Sequence, residues 1–439
     1  MKIGLIGNMN NNNFALMRYF RDLGADAHLL LYSNDGVHEA SHFTPEADTW
    51  EIEKWAPYIH QTQIPNAPVA AFNFPTSWLF GCRAWIREKL GMQKQAVLPV
   101  SRALIHDTYK TFDRLVGSGI TPATLLRIGR RLDIFYPYSA QVEFLYSSAF
   151  TKGVDELSSI TKNFVKRVQQ RQALGIRHAV HVLNAEPGIT EAALNSIGVK
   201  SKHYAIPMVY CDGRISNSSR SERLADIEKK ISSSSFSVLH HARLIWFRKI
   251  NIRDELYLQE SKNNHWLIRA FSKLVTLRPL SNPLLFIAEY GPDVDATKEL
   301  IVELGIANNV IWLPTMTRKE LMWILSRVSV GIGQFCQVPE MCWGGTGWEV
   351  LASGKPLLQG FNFELRTFED VYGYPAPPML PVKNEEDVLP HLLSLVDNPK
   401  NASEIGKQAK LWFNTYNGIG LAKKWLDLLT ACDGTLRES

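Results

Sequence analysis

Cysteine is scarce in this chain: Cys82, Cys211, Cys336, Cys342 and Cys432 are odd in number, scattered and without CxxC spacing. That pattern excludes a disulfide framework and a zinc ribbon, and it points to a reducing cytoplasm. Long apolar runs are missing too, since no uncharged stretch approaches the roughly 18 to 20 residues that cross a bilayer. A concentrated Lys/Arg run is also absent, so nucleic acid is not expected as a partner. The formal net charge is only +5. Such an excess suits anionic small molecules or a loose hold on an anionic membrane surface. Nor does the chain open on a leader pattern: MKIGLIG reads as a buried strand.

What remains is a soluble globular composition of 45% apolar and 21% charged residues in 439. That length exceeds one core and predicts two domains of about 200 residues each. Lys2–Gly7 is a short apolar strand; a polar Asn-rich loop, a helix ending at Gly24 and the strand ADAHLLLY come next. Strand, tight loop, helix, strand is the opening of a parallel α/β domain, with the loop at the strand's carboxyl end where such sheets bind ligands. Further strands are expected at LDIFYPYSAQ (132–141), HAVHVLN (178–184) and HYAIPMVY (203–210), with helices near 156–174 and 189–197. Residues 211–235, the most polar stretch, read as a linker or surface excursion after a first domain of 1–210. The alternation then restarts. Strands are expected at FSVLHHARL, PLLFIAEYG, NVIWLP, VSVGIGQF and KPLLQG, with helices at 262–277, 294–303, 317–327 and 346–353. A second domain of 236–415 and a C-terminal helix (416–439), expected to pack back on the first domain, complete the reading.

Residues 76–105 stand apart. SWLFGCRAWIREKLG sets Leu79, Cys82, Ile86 and Leu90 at helical spacing, with Arg83 and Arg87 on another face. A core-facing amphipathic helix is the plainer reading, and peripheral contact with a membrane interface the second. The histidines give no metal set: His240 and His241 are neighbours in a strand and face opposite sides, and His178 and His181 lack helical ligand spacing.

The densest chemistry lies in GQFCQVPEMCWGGTGWEVLASGKPLL, from Gly333 to Leu358, where a glycine cluster stands between two glutamates. Ahead of it come ARL (242–244), LIRAF (267–271), EYGP (289–292), LGIANNVIWLP (304–314) and KEL (319–321), and within it EVLASGKP (349–356). This ordered set, spanning Ser237 to Trp425, resembles the C-terminal domain of GT-B glycosyltransferases, in particular the large retaining nucleotide-sugar family of the group 1 type. The resemblance implies an α/β GT-B chain, with two Rossmann-like domains facing each other across a cleft. It implies transfer of a sugar from a nucleoside diphosphate sugar to a hydroxyl of a saccharide or lipid-linked acceptor. Synthesis of a cell-surface polysaccharide, at or near the inner face of the membrane, would be the setting.

It also assigns roles. Glu349 matches the glutamate that accepts hydrogen bonds from the donor's ribose. Arg243 and Lys262 match the phosphate-binding pair, and no metal is expected, because basic side chains stabilise the leaving diphosphate. Gly344, Gly345, Thr346 and Gly347 open a helix whose N-terminal amides favour a diphosphate. Thr315 and Met316 lie where relatives contact the base. Glu340 would orient the sugar, although eight residues separate it from Glu349 where the family has seven. In the first half, Gly7 and Asn8 begin the loop expected beneath the donor phosphates, while Tyr138 and Glu143 fall near the acceptor position. Glu143 is a candidate general base should the reaction invert. Two other functions fit the same pattern: a nucleotide-sugar epimerase of this fold, and a non-catalytic partner in glycan assembly.

Overall fold

Four of the five residues in Lys2–Ile6 are buried, the mark of a strand covered on both faces. The computed structural model describes residues 1–34, 44–72, 100–138, 143–145, 159–184, 189–205, 209–210, 221–247, 261–337, 344–363 and 367–431. The chain divides into two units: Met1–Pro45 with Glu51–Pro207 and Leu421–Ser439, and Glu46–Trp50 with Met208–Gly420.

The first unit holds strands β1 (Lys2–Ile6), β2 (Asp26–Leu31), β3 (Ile59–Gln61), β4 (Arg114–Gly117), β5 (Ile134–Phe135), β6 (His181–Asn184) and β7 (Lys202–His203). They form one sheet in the order β3-β2-β1-β4-β5-β6-β7, and every pairing is parallel. Helices α1 (Asn12–Asp22), α2 (Arg102–Tyr109), α3 (Thr121–Leu126) and α4 (Ser159–His178) flank it. Gly7 leaves β1 at φ 79°, and a Cβ there would stand 2.5 Å from the Tyr32 ring. Only glycine meets both demands. The expected strand 132–141 is cut to Ile134–Phe135: the Tyr136 N–H still reaches the Gly117 carbonyl of β4 (3.2 Å), but Pro137 has no N–H to continue the ladder. The Tyr136 hydroxyl donates to Asn13 Oδ1 (2.8 Å), and the Tyr138 N–H donates to Glu143 Oε1 (2.8 Å). Among the described residues of the region read as the strand 203–210, only His203 is in a strand, the end of Lys202–His203. The C-terminal helix Ile419–Ala431 buries Trp425 against Tyr136, at 5.4 Å between ring centroids, and Arg114 Nε donates to the Leu429 carbonyl.

The second unit has β8 (Ser237–His240), β9 (Leu284–Ala288), β10 (Val310–Leu313), β11 (Val330–Ile332), β12 (Leu357–Gly360) and β13 (Leu380–Val382), all parallel in the order β10-β9-β8-β11-β12-β13. This is the doubly wound order, and it reverses direction between β8 and β11. Within the polar stretch 211–235, read as a surface excursion, Glu222–Ser232 forms helix α5. Leu224, Ile227 and Ile231 recur at three and four residues and are buried in the unit's core, so a short apolar stripe outweighs the polar majority. Helix α6 (Asn264–Leu277) buries Leu267, Ile268, Ala270, Phe271 and Leu274 on one face, and α7 (Arg318–Leu325) and α8 (Gly345–Ser353) come after β10 and β11. Among the described residues no helix is long and apolar enough to cross a membrane. The 76–105 segment lies outside them except for its last six residues.

Candidate functional site

In a doubly wound sheet the crevice opens at the carboxyl ends of the strands where the order reverses. In the second unit that point lies between β8 and β11, whose register pairs His240 with Ile332. His241 is the first residue past β8, and its Nε2 lies 2.8 Å from Glu349 Oε2. Arg318, the first residue of α7, donates from Nε to Glu349 Oε1 (2.8 Å) and from Nη1 to Asp48 Oδ1 (3.1 Å). All four side chains are nearly shut off from solvent, Asp48 at 1% exposure and Arg318 at 10%. Asp48 arrives on Glu46–Trp50, a stretch from the first fifty residues that folds with the second unit. Burial alone would raise the Glu349 carboxyl, but the His241 hydrogen bond and the Arg318 charge carry it down to about 2. Burial would likewise weaken Arg318, and the two carboxylates overrule it, so the guanidinium stays charged.

Beside this chain of charges sits an amide cluster. Lys262 Nζ donates to Gln334 Oε1, and Gln359 Nε2 donates to the Gln334 carbonyl (3.0 Å). These buried glutamines explain the neighbouring glycines. A Cβ on Gly333 would fall 1.7 Å from Gln359 Oε1, and one on Gly344 would fall 2.4 Å from Gln334 Nε2. Gly344 caps α8, and Gly345, Thr346 and Gly347 form its first turn. The Gly347 N–H donates to the Gly344 carbonyl (3.1 Å), whereas the amides before it, at the very start of the helix, have no partner inside it and suit an anion. His240, on β8, is a structural counterpart: Asn264 Nδ2 donates to its Nε2 (2.7 Å), so the proton sits on Nδ1. Burial pushes its imidazole down to about 3, with the charges of His241 and Lys262 adding to the effect.

No family model matches the chain, and no curated protein matches it. Solved structures do. HepE from Anabaena in complex with UDP aligns at 14% identity over 98% of this chain and 100% of that one, with a TM-score of 0.54. A glycosyltransferase from Rickettsia africae aligns at 14% identity over 100% and 99%, with a TM-score of 0.54. Sucrose-phosphate synthase from Thermosynechococcus elongatus aligns at 13% over 99% of each chain, with a TM-score of 0.52. The fold is GT-B.

Other expected site residues of this GT-B chain take varied positions. Arg243 ends exposed, its guanidinium 6.0 Å from the centre of the Tyr290 ring. Thr315 is exposed just beyond β10, whereas Met316 is buried in the unit's core. Glu340 lies outside the described residues. In the first unit, the Gly7–Asn13 loop uses left-handed backbone at Asn10 (φ 53°) and Asn11 (φ 58°). The Asn8 side chain is spent within the loop, accepting from the Phe14 N–H (3.0 Å) and donating to Asn11 Oδ1 (2.7 Å). The Asn12 amide is buried with no partner among the described residues. Glu143 Oε1 takes the Tyr138 N–H, and its Oε2 is shielded from solvent with no partner among the described residues. Burial pushes this carboxyl up to about 7 against backbone hydrogen bonds from Tyr138 and Gly119. No group of three or more His, Cys, Asp or Glu gathers as a metal set among the described residues. Sequence reasoning missed Asp48, His241, Arg318, Gln334 and Gln359. Arg318 carried the one available signal, a cation beginning the helix after β10.

Proposed function

We propose that the protein is a glycosyltransferase that moves a sugar from a nucleoside diphosphate sugar to a hydroxyl of a saccharide or lipid-linked acceptor. The observation that carries this reading is the switch point of the second unit. There a buried, ionised Glu349, a lysine and the N-terminus of a helix converge beyond β8 and β11. Glu349 keeps lone pairs beyond those held by His241 and Arg318, so it accepts from the ribose hydroxyls. Lys262, Arg243 and the amides of Gly344, Gly345 and Thr346 hold the diphosphate and stabilise the charge that builds on it as the glycosidic bond breaks, with Gly347 closing the helix's first turn through its bond to the Gly344 carbonyl. Glu340 orients the sugar, and Thr315 flanks the base, with Met316 supporting it from the core. The likeness to HepE solved with UDP and with UDP-glucose makes a uridine donor the first to try.

The first unit supplies the acceptor side. Glu143 has a carboxyl near neutrality and one oxygen with no partner among the described residues, the properties of a group that exchanges a proton with a hydroxyl at physiological pH. Tyr138 positions it through the backbone. In the Asn-rich loop, Gly7 sets the turn, Asn8 holds the loop closed, and Asn12 has the amide left to offer a ligand. The expected setting remains polysaccharide synthesis at a membrane surface.

Release of nucleoside diphosphate from a panel of nucleotide sugars tests the reading. One donor should turn over slowly in water and faster with a saccharide acceptor. Lys262→Gln should cost about a hundredfold or more, the scale of removing one donor to a developing anion. Turnover of no donor, or an unaffected lysine variant, overturns the assignment.

A further inference from the structure

A cavity of about 400 Å³ lies at the end of the second unit's sheet opposite its switch point. Phe236, Ser329 and Pro356 line it, and they immediately precede β8, β11 and β12. Sheets of this kind take ligands at the carboxyl ends of their strands, so the donor crevice does not account for a cavity at the amino ends. Lys355 also lines it, two residues beyond the last residue of α8. The Gly354–Lys355 turn is pressed onto helix Pro399–Tyr416, where a Cβ on Gly406 would fall 2.2 Å from the Gly354 carbonyl oxygen. Lys355 is half-buried, and no described residue forms a hydrogen bond or ion pair with its ammonium. Burial lowers its pKa, and the charge of Arg327 acts in the same direction. Neighbouring Lys410 shows the structural use of such a cation: its Nζ donates to the Ala352 carbonyl in α8. No residue of the lining is acidic, and Asp397, next to Val396 in the wall, is held by Nε and Nη2 of Arg278 (2.7 Å each).

The hydroxyl groups divide by what they have left to offer. Ser329 Oγ accepts the Ser237 N–H (3.0 Å), and no acceptor among the described residues takes its own proton. Ser403 is exposed on helix Pro399–Tyr416, with no side-chain partner among the described residues. Both hydroxyls can donate to a ligand. Ser235 and Ser281 instead give their protons to the Ser281 and Arg278 carbonyls (2.7 Å each) and keep lone pairs only. Lys407 adds a second cation, held loosely by Glu404 at 4.0 Å. A half-buried ammonium without a counter-charge is costly until an anion completes it, and hydrogen bonds from an ammonium to phosphate oxygens are among the strong ones. The volume lies within the roughly 300 to 1,000 Å³ of ligand sites. We propose that this cavity binds a phosphorylated polyol, with Lys355, Ser329 and Ser403 on the phosphate, Lys407 at the rim, and Ser235 and Ser281 accepting from the polyol hydroxyls. The ligand's source is either a soluble sugar or glycerol phosphate or the headgroup of a lipid. The site is independent of the donor site, which faces the other end of α8.

The test is titration calorimetry of the full chain with glucose 6-phosphate, glycerol phosphate, inorganic phosphate and glucose, beside flotation with phosphatidylcholine vesicles with and without phosphatidylglycerol. One of the two esters should bind at one site per chain, about tenfold or more tighter than inorganic phosphate or glucose. Lys355→Gln removes the unmatched charge, so it should keep the ligand-free unfolding midpoint of wild type while weakening ester binding about tenfold or more. Ser403→Asp, an exposed change, should abolish binding by setting a carboxylate against the phosphate. Arg243→Gln/Lys262→Gln should leave binding intact. Flotation only with phosphatidylglycerol vesicles, lost in Lys355→Gln, identifies a lipid headgroup; ester binding without flotation identifies a soluble ligand. Equal binding by wild type and Lys355→Gln, or loss only in the Arg243/Lys262 pair, overturns the proposal. So does an affinity for the esters no better than for inorganic phosphate, or absence of binding to every probe.

Discussion

Arg318 is the residue on which the second unit's site depends most, because it is the cation between two buried carboxylates, Asp48 and Glu349. Removing it takes the shared guanidinium from both. Arg318→Met should therefore cost about 3 to 5 kcal/mol, the penalty for breaking a buried pair from one side. Urea unfolding at neutral pH measures it, and a loss below about 1 kcal/mol, the scale of an exposed pair, would show that the network is not the buried ion chain described. Glu143 makes the opposite case. Its folded carboxyl is raised from 4.5 to about 7, so the folded state binds the extra proton between those values and loses stability as pH rises through them. Glu143→Gln should gain stability relative to wild type across that window while losing transfer activity. Parallel stability curves for the two proteins would remove Glu143 as a group with a raised pKa. Residue-scale legibility in the sequence was uneven for a physical reason. Glu349 could be found because its helix carries a run of motif residues. Asp48 could not, since 270 positions separate it from Arg318 and only the folded chain brings them together.

Elements were read well where periodicity is long and less well where polar side chains interrupt. The expected helices 262–277, 294–303 and 346–353 correspond to Asn264–Leu277, Val294–Glu303 and Gly345–Ser353. β5 is short because Pro137 has no N–H for the ladder and the Tyr138 N–H turns to Glu143, and α5 was hidden under serines and charges with only three buried apolar residues to betray it. Close helix packing is the other property that spacing alone does not reveal. α3 and α4 touch at Gly175, where a Cβ would lie 2.4 Å from both the carbonyl carbon and oxygen of Pro122. Backbone cannot step aside as a flexible side chain can. Gly175→Ala should cost about 1 to 3 kcal/mol by overpacking, read from the thermal midpoint. An unchanged midpoint would mean the two helices separate freely. Gln172, one turn earlier on α4, bonds the carbonyls of Gly119 (2.7 Å) and Glu143 (3.3 Å), so the same variant should also depress activity through Glu143.

At the scale of the whole molecule, alternation of strand and helix already dictated two parallel sheets, and the strand orders place a switch point in each. Identity to the solved GT-B structures is only 13 to 14%, so the likeness rests on architecture, and the chemistry must be carried by this chain's own side chains. The most telling measurement is calorimetric titration of the intact protein with UDP, GDP, ADP, dTDP and CDP, beside Arg243→Gln/Lys262→Gln. One diphosphate, UDP first among them, should bind at one site per chain, and the paired variant should lose that binding. If none of the five binds, or if binding survives in the variant, the switch point of the second unit is not a nucleotide-sugar site.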